Sequence, residues 1–155
     1  MGRTCVAFFP SFARADDAFA KSWLIREEFG LYLQMDVRDR DHACVVAKAL
    51  LRSLPDASDK LIRAALLHDI GKSAARYNPV ERIFVHLYTP KNLPAQPRLG
   101  GLRGTWQRRL HHAAYGAELI LNAGGDPEVA EIVRRHHKPD GHEDAEVLRA
   151  VEVRF

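Results

Sequence analysis

The sequence predicts an all-α protein, a single compact helical bundle. Apolar residues recur at helical spacing along most of the chain, and segments alternating with the period of a strand are nearly absent. Ser, Asp, Pro and Gly also stand where helices need starts and stops. A chain of 155 residues is one domain's worth, long enough to bury most of the surface its unfolded form exposes. Apolar content of 46% against 28% charged residues is that of a globular protein, which excludes wholesale disorder.

The elements follow in order. Ser11 is placed to cap a first helix reaching about Leu33, with Phe12, Ala15, Phe19, Trp23 and Phe29 as its apolar stripe. A second fits Asp39 to Leu54, and Pro55 stops it. A third starts at Ser58 or Asp59 and runs to about Ile70, where Gly71 is a natural terminator. A short helix fits Val80 to Tyr88. The stretch YTPKNLPAQPRLGGLRGTW, with three prolines and three glycines, predicts an irregular segment from Thr89 to Gly104. A loop this long in a compact domain is more often functional than accidental, so a lid stands beside a plain connection. Helices resume from Thr105 to Asn122 and break at Gly124-Gly125. They restart at Asp126-Pro127 with a cap and first-turn proline, reach His137, and end with Glu143 to Arg154.

Composition excludes several classes. Two cysteines, Cys5 and Cys44, make neither a disulfide framework nor a zinc knuckle, which suits a reducing cytosol. The run Val6-Ala7-Phe8-Phe9 ends at Pro10, too short for the apolar region of an export signal. No stretch approaches the roughly 18 apolar residues of a membrane span. A soluble, cytoplasmic protein with no membrane partner is the expectation. The formal net charge is +3, but between Pro79 and Leu110 Arg82, Lys91, Arg98, Arg103, Arg108 and Arg109 face Glu81 alone. Such an excess attracts phosphates, and it also suits a solvated loop. With no nucleic-acid motif beside it, it does not define a nucleic-acid surface.

The stretch LLHDIGKS, Leu66 to Ser73, sets a histidine and an aspartate side by side behind an apolar run. Ionisable pairs in such places need a partner. Other histidines share the pattern. His42 precedes Val45, Val46 and Ala49 at helical intervals, His136 continues the stripe of Val129, Ile132 and Val133, and His112 shares a face with Gly116 and Leu119. Gly116 would permit close approach of a neighbouring group. One histidine on an apolar face is ordinarily a hydrogen-bonded core residue. Four on four helices, one beside an aspartate, favour a transition-metal site over a merely satisfied core. Neighbouring helical residues point about 100° apart, so His68 and Asp69 both reach one ion only near a helix end. The GKS at Gly71 to Ser73 is not a phosphate loop, because Leu66 stands where its first glycine belongs. HExxH, CxxC and GxSxG are absent, and Cys44 and His42, two residues apart, do not face each other on a helix.

The ordered set DRDHACVVAKAL, ALLHDIGKS, LHHAAYGAELI, EIVRRHHKP and LRAVEV resembles the HD superfamily of metal-dependent phosphohydrolases, which are all-α. The resemblance spans Asp39 to the C-terminus. It implies an HD domain over 36–155, with 1–35 as an N-terminal helical extension packed on it. It also implies that His42, His68 and Asp69 hold a first divalent transition metal ion (Mn, Fe, Co, Ni or Zn). In two-metal members Asp69 would bridge to a second ion held by His112 and His136. Lys72 would contact the phosphate, with His137, Arg108 and Arg109 as further substrate contacts. Asp69 and Lys72 would carry the catalysis, Asp69 orienting the attacking hydroxide. The family's late Ala-Asp pair is here Val151-Glu152, so Glu152 would stand in as the last ligand. HHKPDGHED lacks the Gly-Tyr-Pro of the cyclic-di-GMP phosphodiesterase branch, and Arg38 replaces the extra glutamate of its three-metal members. The implied activity is hydrolysis of a phosphate mono- or diester of a small phosphorylated substrate, a nucleotide or related metabolite. The rival is a catalytically weak ligand-binding or regulatory module, and Glu152 is the feature in its favour.

Overall fold

The structure is a computed structural model that describes residues 13–74, 90 and 92–155. Among the described residues it contains seven α-helices and a 3-10 turn, and no strand. The protein is all-α, as its periodicity predicts. The predicted helix from Val80 to Tyr88 lies outside the described residues, as do Ser11 and Phe12.

The first predicted helix is in fact two. Asp16 caps α1, Asp17–Trp23, by accepting from the Phe19 N–H at 3.0 Å, and α2 spans Arg26–Tyr32. Leu24 and Ile25 between them are extended. Burial decides the break, because the kink lets each short helix turn its own face inward: Ala20 from α1, and Glu28, Leu31 and Tyr32 from α2. Asp36 caps α3, Val37–Ser53, which therefore starts two residues before Asp39. Val45, placed on its apolar stripe by spacing, is exposed, while Val46 and Ala49 are buried.

Ser58 caps α4, Asp59–Leu67, through its hydroxyl to the Leu61 N–H. The helix ends before His68, its C-cap residue, and the chain continues in the 3-10 turn Ile70–Ala74. Next comes α5, Gly101–Asn122, which begins inside the stretch expected to be irregular. Gly104 is there for contact rather than as a breaker. A Cβ on it would lie 2.1 Å from the Leu99 carbonyl oxygen. The preceding strap is fastened to one stripe of α5. Gln107 accepts from the Leu99 N–H and donates to the carbonyls of Pro94 and Pro97, His111 bonds Leu93, and Tyr115 donates to Ala95. Arg98 completes the attachment, pairing with Glu118 at 2.7 Å.

Helix α5 closes with Gly124 at a φ of +83°. The N–H of Gly125 bonds the Ile120 carbonyl and that of Gly124 bonds Leu121, the paired bonds of a Schellman cap. Asp126 then caps α6, Pro127–Arg135, with proline in its first turn. Finally α7, Glu143–Glu152, uses the His142 ring as its cap and ends two residues before Arg154.

One apolar core, with Leu50, Ile62, Leu66, Ile120, Val133 and Leu148 fully or almost fully buried, joins these helices. Ala20, Leu24, Leu31 and Tyr32 of the N-terminal helices belong to it. Helix α5 lies along α6 and along the 3-10 turn, α4 packs on α3 and α6, and α7 touches α3, α4 and α6. No described helix is long and apolar enough to cross a membrane.

Candidate metal centre

Three helices end at one place. His68 is the C-cap residue of α4, His136 that of α6, and Glu152 the last residue of α7. The partial negative charge at a helix C-terminus favours a cation near it. His42 comes in from α3 and His112 from the middle of α5. His68, Asp69, His112 and His136 are buried, while His42 and Glu152 are half-buried.

The approach of the turn after α4 to α5 depends on two glycines. A Cβ on Gly71 would lie 1.9 Å from the His112 carbonyl oxygen and 2.7 Å from the Gly116 nitrogen. Gly116 thus allows the close neighbour its position suggested, and that neighbour is the backbone following Asp69.

The rings form a chain. Their centroids are 5.4 Å apart from His42 to His68, from His68 to His136, and from His136 to His112. Asp69 lies between two groups, with Oδ2 3.6 Å from His68 Nε2 and Oδ1 3.5 Å from His112 Nε2. Within each group, His42–His68–Asp69 and His112–His136–His137, one ligand atom per residue lies within 4.8 Å of the others. Glu152 Oε1 stands 4.0 Å from His68 Nε2.

The ring orientations are set locally. Nδ1 of His68 donates to the Ala65 carbonyl at 2.8 Å, that of His136 to Val133 at 2.6 Å, and that of His112 to Arg109 at 3.0 Å. A carbonyl only accepts, so each Nδ1 carries a proton, and in the neutral ring the lone pair lies on Nε2. Backbone carbonyls are the usual orienting partners of metal-bound imidazoles. Burial pushes the pKa of His112 down to about 4, against the opposing pull of Asp69. Burial, reinforced by His68 and His137, pushes His136 down to about 2. Both are neutral at physiological pH, the form that binds metal. For Asp69, burial alone would raise the pKa, but the Lys72 ammonium at 2.6 Å, with His68 and His112, holds it well below the usual carboxylate range.

The donor set fits an ion. Nε2 of His68, Nε2 of His136 and Oδ1 of Asp69 are buried and make no hydrogen bond. Leaving such atoms without a partner costs about 1–3 kcal/mol each. Cations held by the two groups would give all three a partner, and imidazole with carboxylate suits manganese, iron, cobalt, nickel or zinc.

The remaining sequence candidates are placed as follows. Lys72 reaches the centre, but through Asp69 Oδ2. His137, read from sequence as a substrate contact, has its Nε2 2.8 Å from His112 Nε2 and its ring 3.9 Å from that of His136. Its geometry is that of a further ligand. The doublet HHK could have carried this, but consecutive helical residues ordinarily diverge, and only the end of α6 at Arg135 lets both rings turn together. Arg108 is buried one turn before His112 on α5 and donates to Thr105. Arg109 is exposed, and it is its carbonyl that touches the site.

A helical bundle that gathers imidazoles from four helices around one shared carboxylate is a metal-binding domain of histidine–aspartate type. Residues 41–153 match the family described as the HD domain, and the chain belongs to that family. Its superfamily is that of metal-dependent phosphohydrolases. Comparisons with curated proteins and with solved structures gave no match.

Proposed function

We propose that the protein is a metal-dependent phosphohydrolase acting on a phosphate mono- or diester of a small molecule, a nucleotide or related metabolite. The observation that carries this is the trio of buried, unbonded ligand atoms on His68, Asp69 and His136. His42, His68, Asp69 and Glu152 would hold a first ion, and Asp69, His112, His136 and His137 a second. When bound, such an ion supplies Lewis-acid stabilisation of phosphoryl oxygens and a nucleophile at neutral pH.

The chain's own groups do the rest. Asp69, kept ionised, accepts a hydrogen bond from the attacking water and orients it. Lys72 lies beside Asp69 and meets a non-bridging phosphate oxygen with its ammonium. Arg108, on the face of α5 that carries His112, offers a second cation to the substrate, and Arg109 a third at the rim. The buried free thiol of Cys44 suits a place in the cytoplasm.

Metal analysis and a hydrolysis screen test this reading. The purified protein, reconstituted with manganese, iron, cobalt, nickel or zinc, is expected to bind metal and to hydrolyse a nucleotide or an aryl phosphate. His68→Ala and Asp69→Ala are expected to lose both. A wild-type protein that takes no metal would sink the proposal. Metal binding without turnover would favour a ligand-binding or regulatory module instead, the reading that Glu152 in the aspartate position supports.

A further inference from the structure

Glu28 lies on α2, ahead of the stretch that matches the HD domain, and its side chain has no exposed surface. A carboxylate there is costly unless it is bonded on every side. Arg63 of α4 meets it with two hydrogen bonds, Nε to Oε2 at 2.8 Å and a terminal nitrogen to Oε1 at 2.6 Å. The backbone N–H of Asp126, the cap of α6, donates to Oε1 at 3.4 Å, and the Asp126 carboxylate lies 3.7 Å from Arg63. The turn leading into α6 is pressed onto this group. A Cβ on Gly125 would meet Ile120 at 2.6 Å and the Glu28 side chain at 3.4 Å.

The two helices joined here carry the facing halves of the metal centre at their C-terminal ends. Helix α4 delivers His68 and Asp69, and α6 delivers His136 and His137. At 1.5 Å per residue, Asp126 lies about 15 Å along α6 from His136, and Arg63 about 7.5 Å along α4 from His68. A change of tilt between the helices therefore alters the separation of His68 and His136, whose rings are 5.4 Å apart. A buried ion pair is poor evidence of a stability role, because apolar replacements are often as stable. What it supplies here is a fixed geometry.

We infer that Glu28 is a positioning residue for the metal centre, clamping the N-terminal end of α6 to α4 and so setting the spacing of the two ligand clusters. The N-terminal helices also reach the helix of His42. Tyr32 contacts Cys44 at 3.2 Å, Asp17 pairs with Arg40 and Asp16 with Lys48, both at 2.6 Å. The segment outside the family domain thus acts on three of the helices that supply ligands.

This inference rests on the metal reading of the site, and the test separates the two. Metal-free full-length protein, wild type, Glu28→Gln and Asp126→Asn, is titrated with Mn²⁺ in a calorimeter, well below the melting transition of each. The weakest Mn²⁺ binding event is expected to weaken about tenfold or more in Glu28→Gln, as for other groups that orient ligands from behind. Asp126→Asn, which keeps a capping side chain, is expected to give a smaller change in the same direction. A purely structural pair would lower the melting temperature of the metal-free protein and leave both titrations at wild type, which would overturn the inference. If Glu28→Gln does not fold, Asp126→Asn decides alone: weakened binding supports the clamp and unchanged binding overturns it. A flat titration of the wild type would remove the metal reading itself and this inference with it.

Discussion

Lys72 and Glu152 are the two residues whose roles depend most on fine geometry. The Lys72 ammonium sits 2.6 Å from Asp69 Oδ2, too close to be only a solvated charge, yet a protonated lysine has no lone pair for a metal. Lys72→Ala is therefore expected to keep its bound metal, lower kcat/KM on a phosphate ester, and let the pKa of Asp69 rise. Elemental analysis beside steady-state kinetics reads this, and unchanged kinetics at limiting substrate would make Lys72 a local partner of Asp69 only. Glu152 approaches from the end of α7 to 4.0 Å from His68 Nε2. Glu152→Gln is expected to cut metal affinity about 10-fold or more, because an amide of the same length is a poorer cation ligand. Glu152→Asp keeps the carboxylate and should retain more metal than Gln. Wild-type metal content in the Gln variant would remove Glu152 from the site.

At the scale of elements, the contact of the HD turn with α5 is the one that admits least change. Gly71 and Gly116 face each other across it but differ in what an added methyl would meet. At Gly71 the obstacle is backbone, the His112 carbonyl oxygen at 1.9 Å, so Gly71→Ala must move the turn or the helix. Its expected cost is about 3 kcal/mol or more in chemical denaturation, with loss of metal binding. At Gly116 the nearest atoms are methyl groups of Ile70 and Val133 at 3.1 and 3.2 Å and the Gly71 nitrogen at 3.3 Å, contacts that a shift of a few tenths of an ångström relieves. The helix propensity gained by replacing a mid-helix glycine, about 1 kcal/mol, offsets part of that strain. Gly116→Ala should thus be clearly milder than Gly71→Ala, and equal costs would contradict this account.

For the molecule as a whole, the buried imidazoles make stability a function of pH. His112 and His136 have folded pKa values pushed below the ordinary histidine value, to about 4 and about 2. Below about pH 6.5 the unfolded chain binds protons that the folded protein refuses, so this stability is fully present above about 6.5. It declines as pH falls through 6.5, toward about 4 for His112 and on toward about 2 for His136. Asp69, depressed below the usual carboxylate range, adds a loss of the same sign at lower pH. Melting temperatures of the metal-free protein are expected to drop between about pH 7 and pH 5, and His136→Gln should flatten that slope. A wild-type profile already flat across that interval would show that these rings are not neutral in the fold.

The sequence by itself determined the all-α class, a helix start at Ser58 or Asp59, the cap at Asp126, the break at Gly124-Gly125, and the set His42, His68, Asp69, His112, His136 that the structure draws together. All of these are written locally, in helical periodicity, capping chemistry and the spacing of ionisable residues on apolar faces. Only the tertiary structure decided the rest. It split the first helix at Leu24-Ile25, started α5 at Gly101, turned Val45 outward, and brought the ends of α4, α6 and α7 to one point. It also carried His137 in beside His112, and buried Glu28 under Arg63. Each of these depends on which faces and helix ends meet across the core, and residues tens of positions apart settle that through shared burial. A period along one helix records which face is apolar. It does not record what that face will touch.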